Sequence, residues 1–229
     1  MSAEPVDPFV RLDAVSKSYG KGSGRLDLLR SVDLALAPGS TTSLVGRSGS
    51  GKSTLLSLIA GLMRPDAGRI WIDGQSIEGM AEAERAALRA DRIGIVLQSD
   101  NLIAFLSALE NVELALGFGS PGPRRTARAR DLLAELGLAT RLHHRPRELS
   151  GGEAQRVAVA VALANEPDLL LADEVVGQLD SATAADVLGM IFRASADRRL
   201  TVLYVTHDDQ LAGWAQRTLR LVEHRTVAA

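Results

Sequence analysis

The stretch Gly46-Arg47-Ser48-Gly49-Ser50-Gly51-Lys52-Ser53 fits the pattern G-x-x-x-x-G-K-[ST], in which a glycine-rich loop holds phosphate groups. The apolar run Thr42–Val45 precedes it and the apolar helical run Thr54–Leu62 follows it, so the pattern predicts a strand, a loop and a helix in that order. Glycines let the backbone N–H groups of such a loop converge on phosphate oxygens, and the helix adds its positive N-terminal end. The alternative, a plain glycine turn with an exposed lysine, does not require a strand and a helix on its two sides.

The residue types of this loop predict a bound nucleotide with its magnesium ion. Lys52 would reach the β- and γ-phosphates, and the hydroxyl of Ser53 would bind Mg²⁺. We therefore expect nucleotide contacts along the loop and the start of the helix, at Gly46, Arg47, Ser48, Gly49, Ser50, Gly51, Lys52, Ser53 and Thr54.

The segments on either side of the loop indicate an α/β fold. Continuous apolar runs are typical of strands buried on both faces of a parallel sheet, and they occur at Ile93–Leu97, Leu169–Ala172 and Val202–Val205. Alternating runs predict further strands at Phe9–Val15, Val32–Leu36 and Arg69–Asp73. Leu106–Leu116 and Arg124–Leu136 have helical spacing instead, around a breaker loop at residues 117–123. We predict one domain, residues 1–229, in which a helical lobe (99–164) is inserted into an α/β core (1–98 and 165–229).

Composition and charge exclude several classes of function. There are no cysteines, which excludes disulfides, thiolate metal sites and a cysteine nucleophile. A net charge of −2 gives no global basic field, so we expect no nucleic-acid partner. Met1–Phe9 lacks the apolar core of a signal peptide, and runs such as Val157–Ala164 are far shorter than the ~20 residues of a membrane span. We expect a soluble chain; at a membrane, another polypeptide would supply the membrane part.

Two acidic residues directly follow a predicted buried strand. Asp173 and Glu174 come after Leu169–Ala172, and the carboxyl ends of parallel strands meet at the sheet edge that also holds the phosphate loop. There Asp173 would hold Mg²⁺ through water, and Glu174 would polarise the attacking water. Alone, such a pair is more often a solvated strand end; beside a phosphate loop it predicts a catalytic site.

The segment Leu149–Arg156 begins a helix in an unusual way. Ser150 and Glu153 fit the capping box S-x-x-E, yet glycines, poor helix formers, occupy the two positions between them. Bare N–H groups at a helix start bind anions, and side chains there would block a close approach. Because the phosphate loop already serves one phosphate tail, this second surface predicts a composite site between two molecules.

Leu149–Arg156 resembles the signature sequence of ABC-type ATPases, and the likeness extends along nearly the whole chain. Residues 46–53 look like the Walker A loop of that family and Leu169–Glu174 like its Walker B strand, in the family's order. The family's Q-loop, D-loop, switch and adenine-stacking positions correspond to Gln98, Leu179-Asp180, His207 and Tyr19. The closest subgroup is that of the macrolide-export, lipoprotein-release and cell-division (FtsE-like) ATPases, which residues 46–56 and 108–114 resemble.

The resemblance implies a RecA-like P-loop NTPase core with a small antiparallel β part and an inserted helical lobe. It implies that Gln98 helps to hold Mg²⁺ or the water, that His207 contacts the γ-phosphate and that Tyr19 stacks on adenine. In a head-to-tail dimer it places the signature segment and the D-loop against the partner's nucleotide, through Ser150, Gly151, Gly152, Glu153 and Asp180. The alternatives are a polar strand end for Gln98, a packed or exposed histidine at 207, and a tyrosine at 19 that only packs.

The chain departs from the family pattern in three places. Val175-Val176 stands where the family usually has Pro-Thr, Val161 replaces a common arginine, and Glu223-His224-Arg225 replaces an Asp-Gly-Arg turn. Loss of the proline removes a fixed φ from the loop that aims Glu174. These changes bear on the rate of hydrolysis more than on nucleotide binding.

The family implies a subunit that binds MgATP, hydrolyses it, dimerises around it, most simply as a homodimer, and powers a separate transmembrane permease. We expect it in the cytoplasm, on the inner face of the cell membrane. Apolar residues after Gln98, at Leu102, Ile103, Phe105 and Leu106, suit a groove that grips a partner's helix, with packing of the lobe as the alternative. Two other functions stay open: a division-type ATPase that relays force, and a soluble ABC ATPase outside transport.

Overall fold

Two β-sheets carry the fold within residues 7–20, 26–98, 101–117, 123–175, 179–222 and 225–228, which the structure, a computed structural model, describes. In chain order the strands are β1 Val10–Tyr19, β2 Leu26–Leu36, β3 Thr41–Gly46, β4 Ala67–Ile72, β5 Gln75–Ser76, β6 Ile93–Val96, β7 Leu169–Asp173, β8 Thr201–Val205, β9 Arg217–Val222 and β10 Arg225–Ala228. The helices are α1 Lys52–Ile59, α2 Glu82–Arg92, α3 Ala108–Leu116, α4 Pro123–Glu135, α5 Gly151–Leu163, α6 Ser181–Arg198 and α7 Asp209–Ala212. In these ranges no helix has the length and apolar character needed to cross a bilayer.

The larger sheet, in the order β10-β9-β3-β8-β7-β6, confirms the predicted parallel core. β9, β3, β8, β7 and β6 pair in parallel, and β10 adds an antiparallel edge. Neighbouring residues of β7 face opposite sides: Leu169 and Leu171 pack with α1 and the smaller sheet, whereas Leu170 and Ala172 pack with α5 and α6. Burial on both faces explains why the run is apolar at every position rather than at every second one.

The smaller sheet, in the order β2-β1-β4-β5, is antiparallel throughout. Its inward residues Val10, Leu12 and Val15 share a hydrophobic cluster with Leu55 and Ile59 of α1. The sheet therefore rests on the helix that follows the phosphate loop, as the small antiparallel part implied by the resemblance should.

The lobe helices share a second hydrophobic cluster with the larger sheet. Val112 of α3, Leu133 of α4 and Val157 of α5 lie in one cluster with Leu170 of β7 and Val187 of α6. Helix α5 thus joins the lobe to the sheet, and the boundary between lobe and core at residue 164 stays a prediction.

Several elements differ from the sequence-based predictions. β1 extends to Tyr19 rather than Val15, and β2 begins at Leu26 rather than Val32, because the two strands stay paired across several bulges. α2, α6, α7, β9 and β10 have no counterpart among those predictions. Parts of other predicted features lie outside the described residues, namely 1–6, Asp100, 118–122, Val176-Gly177-Gln178 and Glu223-His224.

A buried amide holds the turn that leads into α3. Asn111 is 4% exposed. Its Oδ1 accepts a hydrogen bond from the N–H of Ile103 at 2.8 Å, and its Nδ2 donates to the carbonyl oxygens of Ile103, Leu106 and Ser107. Segment 102–107, which carries the exposed Phe105, is thus fixed without a regular element.

We expect Asn111→Leu to destabilise the protein strongly, because it removes the partner of these backbone groups. Each buried backbone group left without a partner costs about 1–3 kcal/mol, so the free energy of unfolding in urea should fall by roughly 3 kcal/mol. Gln210→Leu, at an exposed position on α7, is the control and should change it by less than about 0.5 kcal/mol. Equal stability of the two variants would contradict the role of Asn111.

Candidate nucleotide-binding site

The carboxyl ends of β3, β8, β7 and β6 meet at one edge of the larger sheet, because these neighbours run in parallel. Gly46 ends β3, His207 follows β8, Asp173 and Glu174 stand at the end of β7, and Gln98 follows β6. Neighbouring strands lie only about 4.8 Å apart. Strand pairing therefore brings to one edge residues that are far apart in the sequence.

A close approach of the smaller sheet shapes the phosphate loop. Gly51 has φ +100°, and a Cβ there would lie 2.7 Å from the carbonyl oxygen of Leu28 in β2, so the position requires glycine. Lys52 is 6% exposed, and its Nζ donates to the carbonyl oxygens of Gly46 and Arg47, both at 2.9 Å. The ammonium group thus lies against the loop that it was predicted to serve. Within the described part of the chain, the buried Ser50 hydroxyl has no hydrogen-bond partner.

The acidic pair has an unsatisfied oxygen and a strained backbone. Asp173 is 8% exposed, and its buried Oδ1 has no hydrogen-bond partner among the described residues. Glu174 has φ +47°, in the left-handed region that costs a non-glycine residue about 1–3 kcal/mol. Its Oε2 accepts a hydrogen bond from Nε2 of Gln98 at 2.9 Å. A buried carboxylate oxygen without a donor favours a cation or a water molecule beside it.

A magnesium ion fits this edge when a nucleotide supplies further oxygens. The exposed hydroxyl of Ser53, the carboxylate of Asp173 and the amide of Gln98 are oxygen ligands of the kind that Mg²⁺ prefers. Across the described ranges, no three His, Asp or Glu side chains come together as a metal site of their own. Mg²⁺ usually binds one or two carboxylates together with phosphate oxygens and waters, which agrees with this sparse set.

Tyr19 stands at the end of β1 with 47% of its surface exposed. Its hydroxyl donates to the sulfur of Met63 at 3.3 Å. Asp66 accepts hydrogen bonds from Nζ of Lys17 and from the N–H and hydroxyl of Ser18, all at 2.8 Å, and these bonds lower the pKa of Asp66 to about 2. The strand end is therefore tied to the turn after α1, and much of the tyrosine surface stays open.

Asn101 is hydrogen-bonded to the backbone of Leu97, the residue before Gln98. Its Oδ1 accepts a hydrogen bond from the N–H of Leu97, and its Nδ2 donates to the carbonyl oxygen of Leu97, both at 2.6 Å. It was not among the predicted site residues, although an asparagine after a strand is a common turn signal.

The predicted capping box at the start of α5 is present. The hydroxyl of Ser150 accepts a hydrogen bond from the N–H of Glu153 at 3.2 Å, and Oε2 of Glu153 accepts from the N–H of Ser150 at 2.8 Å. Oε1 of Glu153 accepts from Nε of Arg141 at 2.7 Å. The hydrogen bond from Arg141, followed by those from Ser150, lowers the pKa of Glu153 to about 2. Arg141 was not predicted, because a partner twelve residues away leaves no periodic signal.

The two glycines in the first turn of α5 differ in what a side chain at their position would meet. A Cβ on Gly152 would lie 2.4 Å from Cγ2 of Thr183 in α6, whereas a Cβ on Gly151 would approach only Cδ2 of Leu179, at 3.6 Å. Packing within the chain thus requires Gly152, which corrects the interpretation that anion approach alone explains the pair. Gly151 is exposed, and for it the anion-site interpretation stays.

Asp180 caps the start of α6, which lies beside the start of α5. Its Oδ1 accepts hydrogen bonds from the N–H groups of Ala182 and Thr183, both at 3.1 Å, and its Oδ2 accepts from the hydroxyl of Thr183 at 2.6 Å. These bonds, with that from the Thr183 hydroxyl the strongest, lower the pKa of Asp180. Thr183 therefore contacts both Asp180 and the position of Gly152.

Sequence comparisons agree with the geometry. Residues 29–177 match the family described as ABC transporter. The chain is 45% identical over 219 residues to the uncharacterized ABC transporter ATP-binding protein YbbA of Escherichia coli, covering 95% of the chain and 96% of that protein. It is 45% identical over 217 residues to the lipoprotein-releasing system ATP-binding protein LolD of Geobacter metallireducens, covering 93% and 96%. With the macrolide export ATP-binding/permease protein MacB 1/2 of Paracoccus denitrificans it shares 43% identity over 227 residues, 99% of the chain but only 34% of that relative.

Solved structures confirm the predicted fold. The dimeric post-hydrolysis state of the ATP-binding cassette MJ0796 bound to ADP and Pi matches with a TM-score of 0.89 and 37% identity, over 96% of this chain and 98% of that one. Another dimeric structure of MJ0796, a bacterial ABC transporter cassette, matches with the same values. The α/β core with its antiparallel sheet and helical lobe is therefore the fold of an ABC cassette.

The contact between Gly152 and Thr183 can be tested by relieving it. Gly152→Ala places a methyl group against Cγ2 of Thr183, and such overpacking should lower the free energy of unfolding by about 2 kcal/mol. Thr183→Ser removes that Cγ2 and keeps the hydroxyl for Asp180, so it should restore most of the loss in the double variant. Gly151→Ala is the control and should cost less. Urea denaturation measures all four proteins; a double variant no more stable than Gly152→Ala would refute the packing argument.

Proposed function

The chain belongs to the ABC transporter family, and we propose that it is the ATP-binding and ATP-hydrolysing subunit that powers a separate membrane permease. The observation that supports hydrolysis best is the meeting of the phosphate loop with Asp173, Glu174, Gln98 and His207 at one edge of the parallel sheet. Names of relatives as ATP-binding proteins, and the ADP and Pi bound by a structural neighbour, support ATP as the nucleotide.

In this proposal Lys52 and Glu174 each exchange a contact within the chain for one with the substrate. Nζ of Lys52 leaves the neutral carbonyl oxygens of Gly46 and Arg47 for charged phosphate oxygens, with which its hydrogen bonds are stronger. The Glu174 carboxylate leaves the amide of Gln98 and accepts a proton from the attacking water.

The other predicted residues bind and orient the nucleotide. Bound Mg²⁺, held by Ser53, Gln98 and Asp173, would neutralise charge on the phosphate oxygens. His207 contacts the γ-phosphate, and Tyr19 stacks on adenine with its exposed surface. The remaining contacts come from the loop and the start of α1, at Gly46, Arg47, Ser48, Gly49, Ser50, Gly51 and Thr54.

We propose that catalysis needs two copies arranged head to tail. The start of α5 is anchored from within the chain by Arg141 and Thr183, while Ser150 and Gly151 are exposed. Their N–H and hydroxyl groups would bind the γ-phosphate held by the other copy, and Asp180 would lie beside it. The dimeric structures of a cassette that is 37% identical support this arrangement.

An apolar groove beside β6 is the proposed docking surface for the permease. The groove, of about 490 Å³, is lined by Ile93 and Ile95 of β6, by α2, by Ala115 of α3 and by Val161 of α5. Leu62 also lines the groove, and Leu97 and Leu114 on neighbouring elements are exposed. Phe105, in the turn before α3, is 73% exposed and would extend the docking surface beyond the groove. Exposed apolar patches of this kind mark interaction sites.

A helix of a membrane permease is the occupant we propose for this groove. The MacB relative is named an ATP-binding/permease protein, and this chain matches 34% of its length, which supports a permease as the partner. Val161 gives the groove an apolar wall, where the subgroup that the chain resembles commonly has arginine. We therefore expect apolar residues on the docking helix, and the chain at the cytoplasmic face of the membrane.

Glu174→Gln tests the catalytic site and the dimer together. The substitution keeps the shape of the side chain but removes the base, so phosphate release should fall at least ~100-fold while ATP binding persists. The intact γ-phosphate should then hold two copies together, and light scattering in MgATP should show a dimer.

Ser150→Arg on the Glu174→Gln background should abolish that dimer, because a long side chain fills the approach of the phosphate. Ser76→Arg, at an exposed position in the smaller sheet, is the matched control and should leave the dimer intact. If Glu174→Gln binds ATP but stays monomeric both alone and with its permease, the head-to-tail proposal fails.

Phe105→Asp tests the docking surface. A charge at this exposed apolar position should weaken binding to permease-containing membrane vesicles at least about tenfold, because the carboxylate resists desolvation, and leave ATP affinity unchanged. Trp214→Asp, which also replaces an exposed aromatic residue, is the control and should bind normally. Sedimentation of labelled protein with the vesicles measures this, and normal binding of Phe105→Asp would exclude the turn before α3 from the docking surface.

A further inference from the structure

A carboxylate stands where an approaching phosphate would be repelled. Glu153 occupies the third position of α5, within the first turn, and only 18% of its side chain is exposed. The same turn carries the exposed N–H and hydroxyl groups of Ser150 and Gly151, which our proposed function assigns to the γ-phosphate of a second copy. Like charges repel over such short distances, and partial burial weakens the screening by water. The anion site therefore needs a counter-charge.

Arg141 supplies that charge. Its Nε donates to Oε1 of Glu153 at 2.7 Å, while Oε2 of Glu153 accepts from the Ser150 N–H at 2.8 Å, so the two carboxylate oxygens join the arginine to the helix start. A glutamate is ionised at neutral pH, and the hydrogen bonds to Glu153 lower its pKa further, to about 2, so the anion site faces this charge throughout the neutral range.

The backbone that carries Arg141 is held in place by α3. The N–H of Arg141 donates to the carbonyl oxygen of Leu138, a fully buried residue. Immediately after it, the carbonyl oxygens of Leu142 and His144 accept from the first N–H groups of α3, at 2.9 and 2.8 Å. These N–H groups have no partner within their own helix. Backbone hydrogen bonds thus fix the turn that carries Arg141 independently of its ion pair with Glu153. Less conformational entropy is therefore lost when the ion pair forms.

We propose that Arg141 is a positioning residue of the composite ATP site: it cancels the charge of Glu153, so that the Ser150 turn, which this carboxylate caps, accepts a second copy's γ-phosphate. This inference rests on the proposed function. A glutamine at position 153 would keep a hydrogen-bonding cap without a charge, so Arg141 is needed only because position 153 is acidic. That dependence separates electrostatic compensation from a merely structural role.

The test uses the full chain with Glu174→Gln as the parent and follows dimer formation by light scattering during an ATP titration. Arg141→Gln should raise the ATP concentration for half-maximal dimer about tenfold. Adding Glu153→Gln to that variant should restore the parent value to within about twofold. Arg198→Gln, which breaks the ion pair with Glu135 at the far end of α6, is the matched control and should have no effect.

The possible outcomes distinguish a failure of the head-to-tail dimer from a failure of the role proposed for Arg141. A parent that fails to dimerise both alone and with its permease overturns the head-to-tail proposal and this inference with it. A parent that dimerises while Arg141→Gln dimerises equally well overturns the inference alone. If Arg141→Gln is impaired and Glu153→Gln does not rescue it, Arg141 acts by supporting the loop and the compensation is refuted; urea denaturation of the same variants shows whether folding is intact.

Discussion

Parallel pairing of β3, β8, β7 and β6 is the interaction on which the site depends. In the ladder, Leu44 lies opposite Val205, Val205 lies opposite Asp173, and Ala172 lies opposite Val96. The register therefore sets where each strand ends relative to its neighbours. It thereby also sets how far each polar side chain lies beyond the edge of the sheet. A slip by one residue would turn the side chain of Asp173 to the other face and put apolar residues where the nucleotide should bind. Strands buried on both faces resist such slips, because each face of β7 belongs to a different hydrophobic cluster.

That rigid sheet allows the site to contain groups that would be unfavourable elsewhere. The Ser50 hydroxyl and Oδ1 of Asp173 are buried without hydrogen-bond partners in the described residues, and Glu174 has a strained backbone. Unsatisfied polar atoms and strained conformations persist only where the surrounding structure holds them. In the proposed function all three features are relieved or used when nucleotide, metal and water arrive. The free energy that the fold gives up at this edge then favours ligand binding.

Sequence patterns predicted the elements whose cause is local or periodic. The apolar runs identified β6, β7 and β8, and the S-x-x-E pattern identified the start of α5. Helix α2 was missed because the only described residue that it buries is Arg85; ion pairs of Glu82 with Arg85 and Arg89 support it in place of an apolar stripe. Contacts between distant segments could not be predicted from sequence patterns, for a different reason. Neither the partner of Glu153 nor the neighbour of Gly152 can be found by spacing, since each depends on how two helices or a helix and a turn come together.

The start of α5 shows how one short segment satisfies two demands at once. Gly152 serves the fold, because Thr183 lies against it, whereas Gly151 is exposed and in the proposed function faces the second copy. Thr183 also binds Asp180, so the cap of α6 and the first turn of α5 contact the same side chain. In the proposed dimer both would face the second copy's nucleotide. A shift of one helix start must then be transmitted to the other through Thr183, because close-packed contacts do not deform continuously. In that proposed dimer, the Ser150 turn and Asp180 would therefore respond to the nucleotide as a single body.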